Sequence, residues 1–231
     1  MTTRAPDDVL GLRASAWWLG GLIAALVVLT AVLASAWHPV EAVDHAVARW
    51  GYSLTYRHGL RASLWRTVAV VGQPMVLRVL LVLTGVVQLL RGRRALGVWL
   101  IAVPVAENVI APFSKYLLNR PRPHWLHPLA VEHSTSYPSG HAAGAGMFAC
   151  AVALVVLTTA RGRAVRWTLI IGAVAVAVVI SVDRILLGVH YLSDVVGGNL
   201  LGVAITVAGW LVLLLVQRRR GAARTPTAPR R

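Results

Sequence analysis

Between Lys115 and Asp194 three short polar clusters interrupt a strongly apolar chain. The first is Lys115-Tyr-Leu-Leu-Asn-Arg-Pro-Arg122-Pro123, the second Pro138-Ser139-Gly140-His141, and the third comprises Asp183, Arg184, His190 and Asp194. A phosphate ester carries close to two negative charges, and taking it partly out of water requires fixed cations and many donors. Arginine offers a planar fork to phosphate oxygens and lysine a compact point charge. Lys115, Arg122 and Arg184 are therefore candidate phosphate-binding residues. Ser139 and Gly140 join them, because they precede an apolar run and their N–H groups can lie at a helix amino terminus that favours an anion.

Cleavage needs a nucleophile and an acid. A neutral imidazole attacks phosphorus when a carboxylate holds its other ring nitrogen and stabilises the developing cation. His190 and Asp194 are four residues apart, on one face if a helix has begun there. His141 remains as general acid for the departing oxygen. No metal or other cofactor is needed in this scheme, since the cations already neutralise the equatorial oxygens.

The elements that must position these groups are membrane helices. Of the 231 residues 57% are hydrophobic and only 13% charged, far too apolar for an ordinary soluble domain. The spacing predicts an all-α polytopic bundle with six transmembrane helices, over about 16–37, 67–90, 95–118, 139–160, 167–187 and 191–216, because each run approaches or exceeds the roughly 18 apolar residues of a span. Residues 1–15 read as a short amino-terminal segment and 16–216 as one membrane domain. The 217–231 stretch reads as a disordered basic tail with nothing to bury. Residues 34–36 resemble a signal-peptidase site, but the preceding run is longer than the roughly 7 to 15 residues of a signal core, so a retained anchor is expected.

Residues 38–66 mix Trp50, Tyr52, Tyr56 and Trp65 with four arginines and read as a loop containing a short interfacial helix. Arg78 falls within the second span, where an ionisable group requires a partner, and Glu107 of the third span is the candidate. The segment 119–137, with three prolines and three histidines, reads as a loop. Small residues at Ala142, Gly144, Ala145 and Gly146 allow a close helix crossing. Cys150 stands alone in an apolar run, so no intrachain disulfide is available.

The formal net charge of +15 does not indicate nucleic acid, because the arginines lie between apolar runs and in the tail instead of along one surface. They indicate orientation. The amino terminus, the turns at 91–94 and 161–166 and the tail share one side, which the positive-inside rule makes cytoplasmic. The three polar clusters then share the outer face.

Lysine, six residues, Arg-Pro; Pro-Ser-Gly-His; and Arg, five residues, His, three residues, Asp: together these resemble the three-part signature of the type 2 phosphatidic acid phosphatase superfamily, over roughly residues 67–215. The resemblance implies a six-span lipid phosphatase of the cell membrane acting on polyprenyl diphosphate, phosphatidate or phosphatidylglycerol phosphate. It further implies that Lys115, Arg122, Ser139, Gly140 and Arg184 bind phosphate, that His190 forms a phosphohistidine, that Asp194 orients it and that His141 is the acid. One position departs from the pattern: Asp183 stands where serine is usual, and a carboxylate there is expected to turn from the phosphate or to buttress an arginine.

Other readings of the same residues exist. Lys115 and Arg122 could simply snorkel at a helix end, Ser139 could be only a helix cap, and His124, His127 and His133 form a loose group whose spacing matches no common zinc pattern. An anion transporter would leave the His190/Asp194 pair without a role and would call for an inverted repeat that the apolar pattern lacks. A non-catalytic lipid-binding protein would not need all three blocks.

Overall fold

The computed structural model describes residues 10–160 and 162–224. Among these described residues eight α-helices follow in order: α1 (Leu12–Ala34), α2 (His38–Tyr56), α3 (Gly59–Val71), α4 (Pro74–Leu90), α5 (Arg94–Ser114), α6 (Gly140–Thr159), α7 (Arg163–Leu186) and α8 (Leu192–Arg224). A 3-10 turn over Lys115–Leu117 extends α5. Six stretches are long and apolar enough to cross a membrane: α1, α3 and α4 taken together, α5, α6, α7 and α8. The chain is an all-α, multi-pass membrane bundle.

Helix α6 is its axis, touching α4, α5, α7 and α8, while α1 packs on the outside of α8. Because α6 is enclosed, it is apolar all round and opens with the small run Ala142 to Gly146, every residue of which is buried. The close crossing expected from those residues has its other half on α8. A methyl group on Gly202 would overlap the Ala143 carbonyl, and one on Gly198 the Ser139 carbonyl. Side chains at these positions would separate the two helices that carry the second and third polar clusters. Trp99, Leu100, Val103, Met147, Trp210 and Leu214 fill the space between α5, α6 and α8. Large apolar side chains such as Trp17, Val27 and Leu60 face outward, as a hydrocarbon surround requires.

Arg78 does reach Glu107, at 2.6 Å, and also Asn108, at 2.7 Å. Three boundaries differ from expectation. Residues 38–66 are helical almost throughout instead of a loop with a short helix: Asp44, Ala48, Gly51 and Thr55 form a buried stripe at helical spacing along α2, which packs on α7 and α8. Arg49 and Trp50 are exposed on the other side of α2, Tyr52 borders the stripe, and the remaining aromatic and basic residues of 38–66 lie at or beyond the helix end. Helix α3 likewise begins the second span at Gly59, ahead of the expected residue 67, and gives way to α4 at Gly72 and Gln73, with Pro74 in the first turn. At the other end α8 runs to Arg224, so residues 217–224 of the expected tail are helix. Residues 225–231, and 1–9 of the amino-terminal segment, lie outside the described residues.

Gly202→Ala should lower the stability of the detergent-solubilised protein by about 1–3 kcal/mol, the usual cost of overpacking. Thermal unfolding should register it as a lower midpoint, and an unchanged midpoint would show that the crossing tolerates a wider spacing.

Candidate functional site

The three clusters meet at one end of the bundle because of how α5, α6, α7 and α8 begin and end. Lys115 follows the last residue of α5, Ser139 is the cap before α6, Arg184 lies in the last turn of α7, and Asp194 lies in the first turn of α8. Helix α7 stops at Gly188, whose φ of +68° suits glycine, and Trp125 packs so close that a side chain there would collide with its indole nitrogen. The chain then crosses to α8 through Val189, His190 and Tyr191.

His190 therefore precedes α8, and the face it was expected to share with Asp194 is replaced by a capping arrangement. Asp194 is the third residue of α8, and its Oδ2 accepts the Tyr191 N–H at 2.8 Å, one half of a capping box. That fold-back leaves Oδ2 3.5 Å from His190 Nδ1, with the Ser136 hydroxyl donating to the same oxygen. The Asp194 side chain is fully buried, and Arg120 meets Oδ1 at 2.8 Å.

Arg120 joins two carboxylates. Its second nitrogen donates to Asp44 Oδ2 at 2.8 Å, and its guanidinium lies 4.4 Å from the centre of the Tyr191 ring. Asp44, 1% exposed, also accepts the Ser193 N–H at 2.9 Å, satisfying a free donor at the start of α8. Burial opposes the Arg120 charge, but Asp194 and Asp44 outweigh it and raise its pKa above the ordinary value.

The cations are held by backbone. Lys115 Nζ donates to the Thr135 carbonyl at 2.7 Å and the Pro138 carbonyl at 3.2 Å. Arg122 donates to the carbonyls of Ser134 and Val189, each at 2.7 Å, and reaches the same Thr135 carbonyl at 3.4 Å. Its NH1 lies 3.0 Å from His190 Nε2. Burial pulls the Arg122 pKa down and the charge of Arg184 adds to this, against Glu132 and Asp194. Arg184, 1% exposed, rests Nε and NH2 on Asp183, while NH1 lies 3.4 Å from His141 Nδ1 and 3.5 Å from Glu132. Asp183 thus braces Arg184.

Ser139 caps α6, its Oγ accepting the Ala142 N–H at 3.4 Å, and its own N–H donates to the Asp194 carbonyl at 3.0 Å. Gly140 opens α6 with free space where a side chain would begin. The structure therefore gathers His190, His141, Asp194, Lys115, Arg122, Ser139, Gly140 and Arg184 at one end. Asn119–Tyr137 is largely irregular, as expected of a loop, and strapped down: Trp125 stacks on Tyr52 at 4.1 Å and donates to the Gly188 carbonyl at 2.7 Å. Of its three histidines, His127 stacks on Tyr56, and all three are exposed.

Sequence reasoning missed Arg120, Asp44, Ser136, Ser193 and Glu132. Arg120 was visible within the first block, and Asp44 is one of only eight acidic residues in the chain, placed on a helical stripe. Ser136, Ser193 and Glu132 carry no pattern of their own.

A family model described as the PAP2 superfamily matches residues 95–220, more than half of the chain and all three clusters. The chain belongs to the PAP2 superfamily. Undecaprenyl-diphosphatase of Sulfolobus acidocaldarius is 30% identical over 141 residues, 58% of this chain and 60% of its own length. Phosphatidylglycerophosphatase B of Bacillus subtilis is 27% identical over 176 residues, 74% of this chain and 85% of its own. The crystal structure of a PAP2-type phosphatidylglycerolphosphate phosphatase from Bacillus subtilis shares the fold, with a TM-score of 0.71 at 21% identity over 92% of this chain and 100% of that one. Within this PAP2 chain Asp44 lies outside the matched residues, so the Asp44–Arg120–Asp194 bridge ties a segment beyond the family model to its third cluster.

Burial pulls the His190 pKa down to about 4, with Asp194 opposing and Arg122 assisting. The ring is therefore neutral at pH 7. A depressed histidine pKa means that the unfolded chain binds more protons between its ordinary value of about 6.5 and about 4. Stability should accordingly fall as pH drops through that window and level off below it. His190→Asn should remove this component, visible as a flatter pH dependence of the thermal midpoint; an identical slope in both proteins would refute it.

Proposed function

We propose that the chain is a metal-independent lipid phosphatase that works through a phosphohistidine. The observation that carries this reading is the orientation of His190: Nδ1 faces Asp194 at 3.5 Å, while Nε2 faces the cation cluster, 3.0 Å from Arg122. An Nδ1–H held toward the carboxylate makes Nε2 the unprotonated nitrogen, its lone pair turned to the Arg122 N–H that a bound phosphate would draw away.

In the first step Nε2 attacks phosphorus, the bond from phosphorus to the leaving oxygen breaks, and His141 gives that oxygen its proton. Asp194 stabilises the charge that appears on His190. In the second step His141, now neutral, takes a proton from water, the water oxygen displaces His190 from phosphorus, and inorganic phosphate leaves. Lys115, Arg122, Arg184 and the N–H groups at the start of α6 stabilise the equatorial oxygens throughout.

The substrate reading rests on the surroundings. An apolar furrow of about 380 Å³ between α1, α5 and α8 is lined by Leu26, Val109, Phe113, Leu117 and Tyr137, and also by Ser114 and Pro138, the neighbours of Lys115 and Ser139. It gives an acyl or prenyl chain a path beside the cations. The activities for which the relatives are named support a polyprenyl diphosphate or a phosphatidylglycerol phosphate, with phosphatidate as the third candidate. The arginine-bearing turns support an active site on the extracytoplasmic face with both termini cytoplasmic.

Purified protein should release phosphate from these lipids, and comparing prenyl diphosphates with glycerophospholipid phosphates identifies the class. With a phosphate-labelled substrate, quenched enzyme should carry an acid-labile, alkali-stable label that His190→Ala lacks along with turnover. Vanadate should inhibit and chelators should not; full turnover in the His190 variant, or strict metal dependence, would reject the mechanism.

Arg120 acts through Asp194 as a positioning residue. Arg120→Gln and Asp44→Asn should each lower kcat about ten- to a hundredfold, in line with other outer-shell orienting groups, with KM nearly constant and the acid limb of the pH profile displaced. A change confined to KM would make them substrate contacts instead.

A further inference from the structure

The end of the bundle opposite the polar clusters carries a second built feature. Helix α5 spans it: Arg94 is 21 residues before Lys115, about 30 Å along a helix axis, so nothing at Arg94 belongs to the site described above. A pocket of about 380 Å³ there is lined by Arg93, Arg94, Gln217 and Arg220, with Thr158 and Thr159. It joins an apolar groove of about 410 Å³ between α5 and α8, the two sharing Arg94, Ala95, Leu213 and Arg220. The groove runs inward past Ala102, Ala106 and Ile110.

Charge at this mouth is uncompensated within the described residues: Arg94 and Arg220 are exposed, and none of Arg93, Arg94 and Arg220 takes part in a salt bridge there. Arg93 alone has a side-chain partner, the neutral Gln88, at 3.2 Å. The groove wall holds a polar group without a partner as well. Trp99 is 3% exposed, its indole N–H lies beside Gly209, and no protein acceptor meets it. Trp99 is five residues beyond Arg94, about 7.5 Å deeper along α5.

We infer that this pocket and groove bind one anionic phospholipid that is not a substrate, its phosphate among Arg93, Arg94 and Arg220 and an acyl chain along α5 and α8. Three guanidiniums match a phosphodiester, which lacks the terminal phosphate that the opposite end would cleave. The groove matches a chain attached to that phosphate. Free phosphate would satisfy the arginines and leave the groove empty, and a neutral phospholipid would fill the groove and leave the arginines unmatched.

Native mass spectrometry of the purified full-length protein tests this, with phosphatidylglycerol as probe, phosphatidylcholine as control and inorganic phosphate as competitor. Wild-type protein should retain one phosphatidylglycerol, in preference to phosphatidylcholine, that inorganic phosphate does not displace. Replacing Arg93, Arg94 and Arg220 by Gln should weaken retention by about a hundredfold, from roughly 1 kcal/mol per basic residue at a lipid surface. Ala102→Trp, which fills the groove and leaves every charge in place, should weaken it comparably. Arg122→Gln, at the other end, should not. Retention unaffected by the triple replacement, equal retention of phosphatidylcholine, or displacement by inorganic phosphate overturns the proposal; retention unaffected by Ala102→Trp overturns the groove. Circular dichroism of each variant separates loss of the site from loss of fold.

Discussion

A carboxylate taken fully out of water survives only if its lone pairs are filled, and Asp194 is the group around which this end of the bundle is arranged. Its two oxygens take donors from four directions: Arg120 from the loop after α5, Ser136 from the loop before α6, Tyr191 from the start of α8, and His190 from the link out of α7. Removing a partner from a buried charge commonly costs several kcal/mol, so each of these segments is held to the others through one residue. The same contacts orient the imidazole.

The second constraint is repulsion. Lys115, Arg122 and Arg184 are brought together before any anion arrives, and the chain stabilises them with acceptors that leave the guanidinium and ammonium groups charged. Backbone carbonyls at 134, 135, 138 and 189 take Lys115 and Arg122, and Asp183 takes Arg184. Asp183 meets this need at Arg184. Buried beside a buried arginine, the Asp183 carboxylate fixes two nitrogens of Arg184 and turns the third toward His141. A bound phosphate would supply counter-charge to a cluster already set in position, which is the preorganisation that makes electrostatic stabilisation effective.

The parts of the fold that could be read in the sequence were those with a one-dimensional signature. Apolar runs fix the spans, and Lys115, Arg122, Ser139, Gly140, His141, Arg184, His190 and Asp194 stand out because polar residues are rare among them. The run from Ala142 to Gly146 announces a close crossing, but its partners Gly198 and Gly202 are uninformative until the register of α8 is known. Helix α2 was hidden by composition. Its exposed Arg49 and Trp50, with the aromatic and basic residues that follow the helix, outweigh a buried stripe of four residues, so Asp44, the member of that stripe that reaches across to Arg120, went unread. The mutual placement of His190 and Asp194 was expected for the wrong reason: a glycine stop and a capping box bring them together, where a shared helix face had been assumed.

The bundle is chemically polarised, and the polarity follows from helix direction. At the end holding the site, α6 and α8 present amino termini, whose free N–H groups favour anions: Asp44 and Asp194 occupy that of α8, and Ser139 and Gly140 leave that of α6 facing the cations. A phosphate meeting this end would encounter one terminus that holds the proposed nucleophile and a second, capped by Ser139 at Ala142, whose Gly140 and His141 N–H groups can receive its charge. At the far end α6 and α8 present carboxyl termini, and arginines stand there, as helix dipoles favour. On the readings proposed above both ends would attract anions, but only one combines that attraction with a carboxylate-backed imidazole, so the proposed hydrolysis is confined to one end.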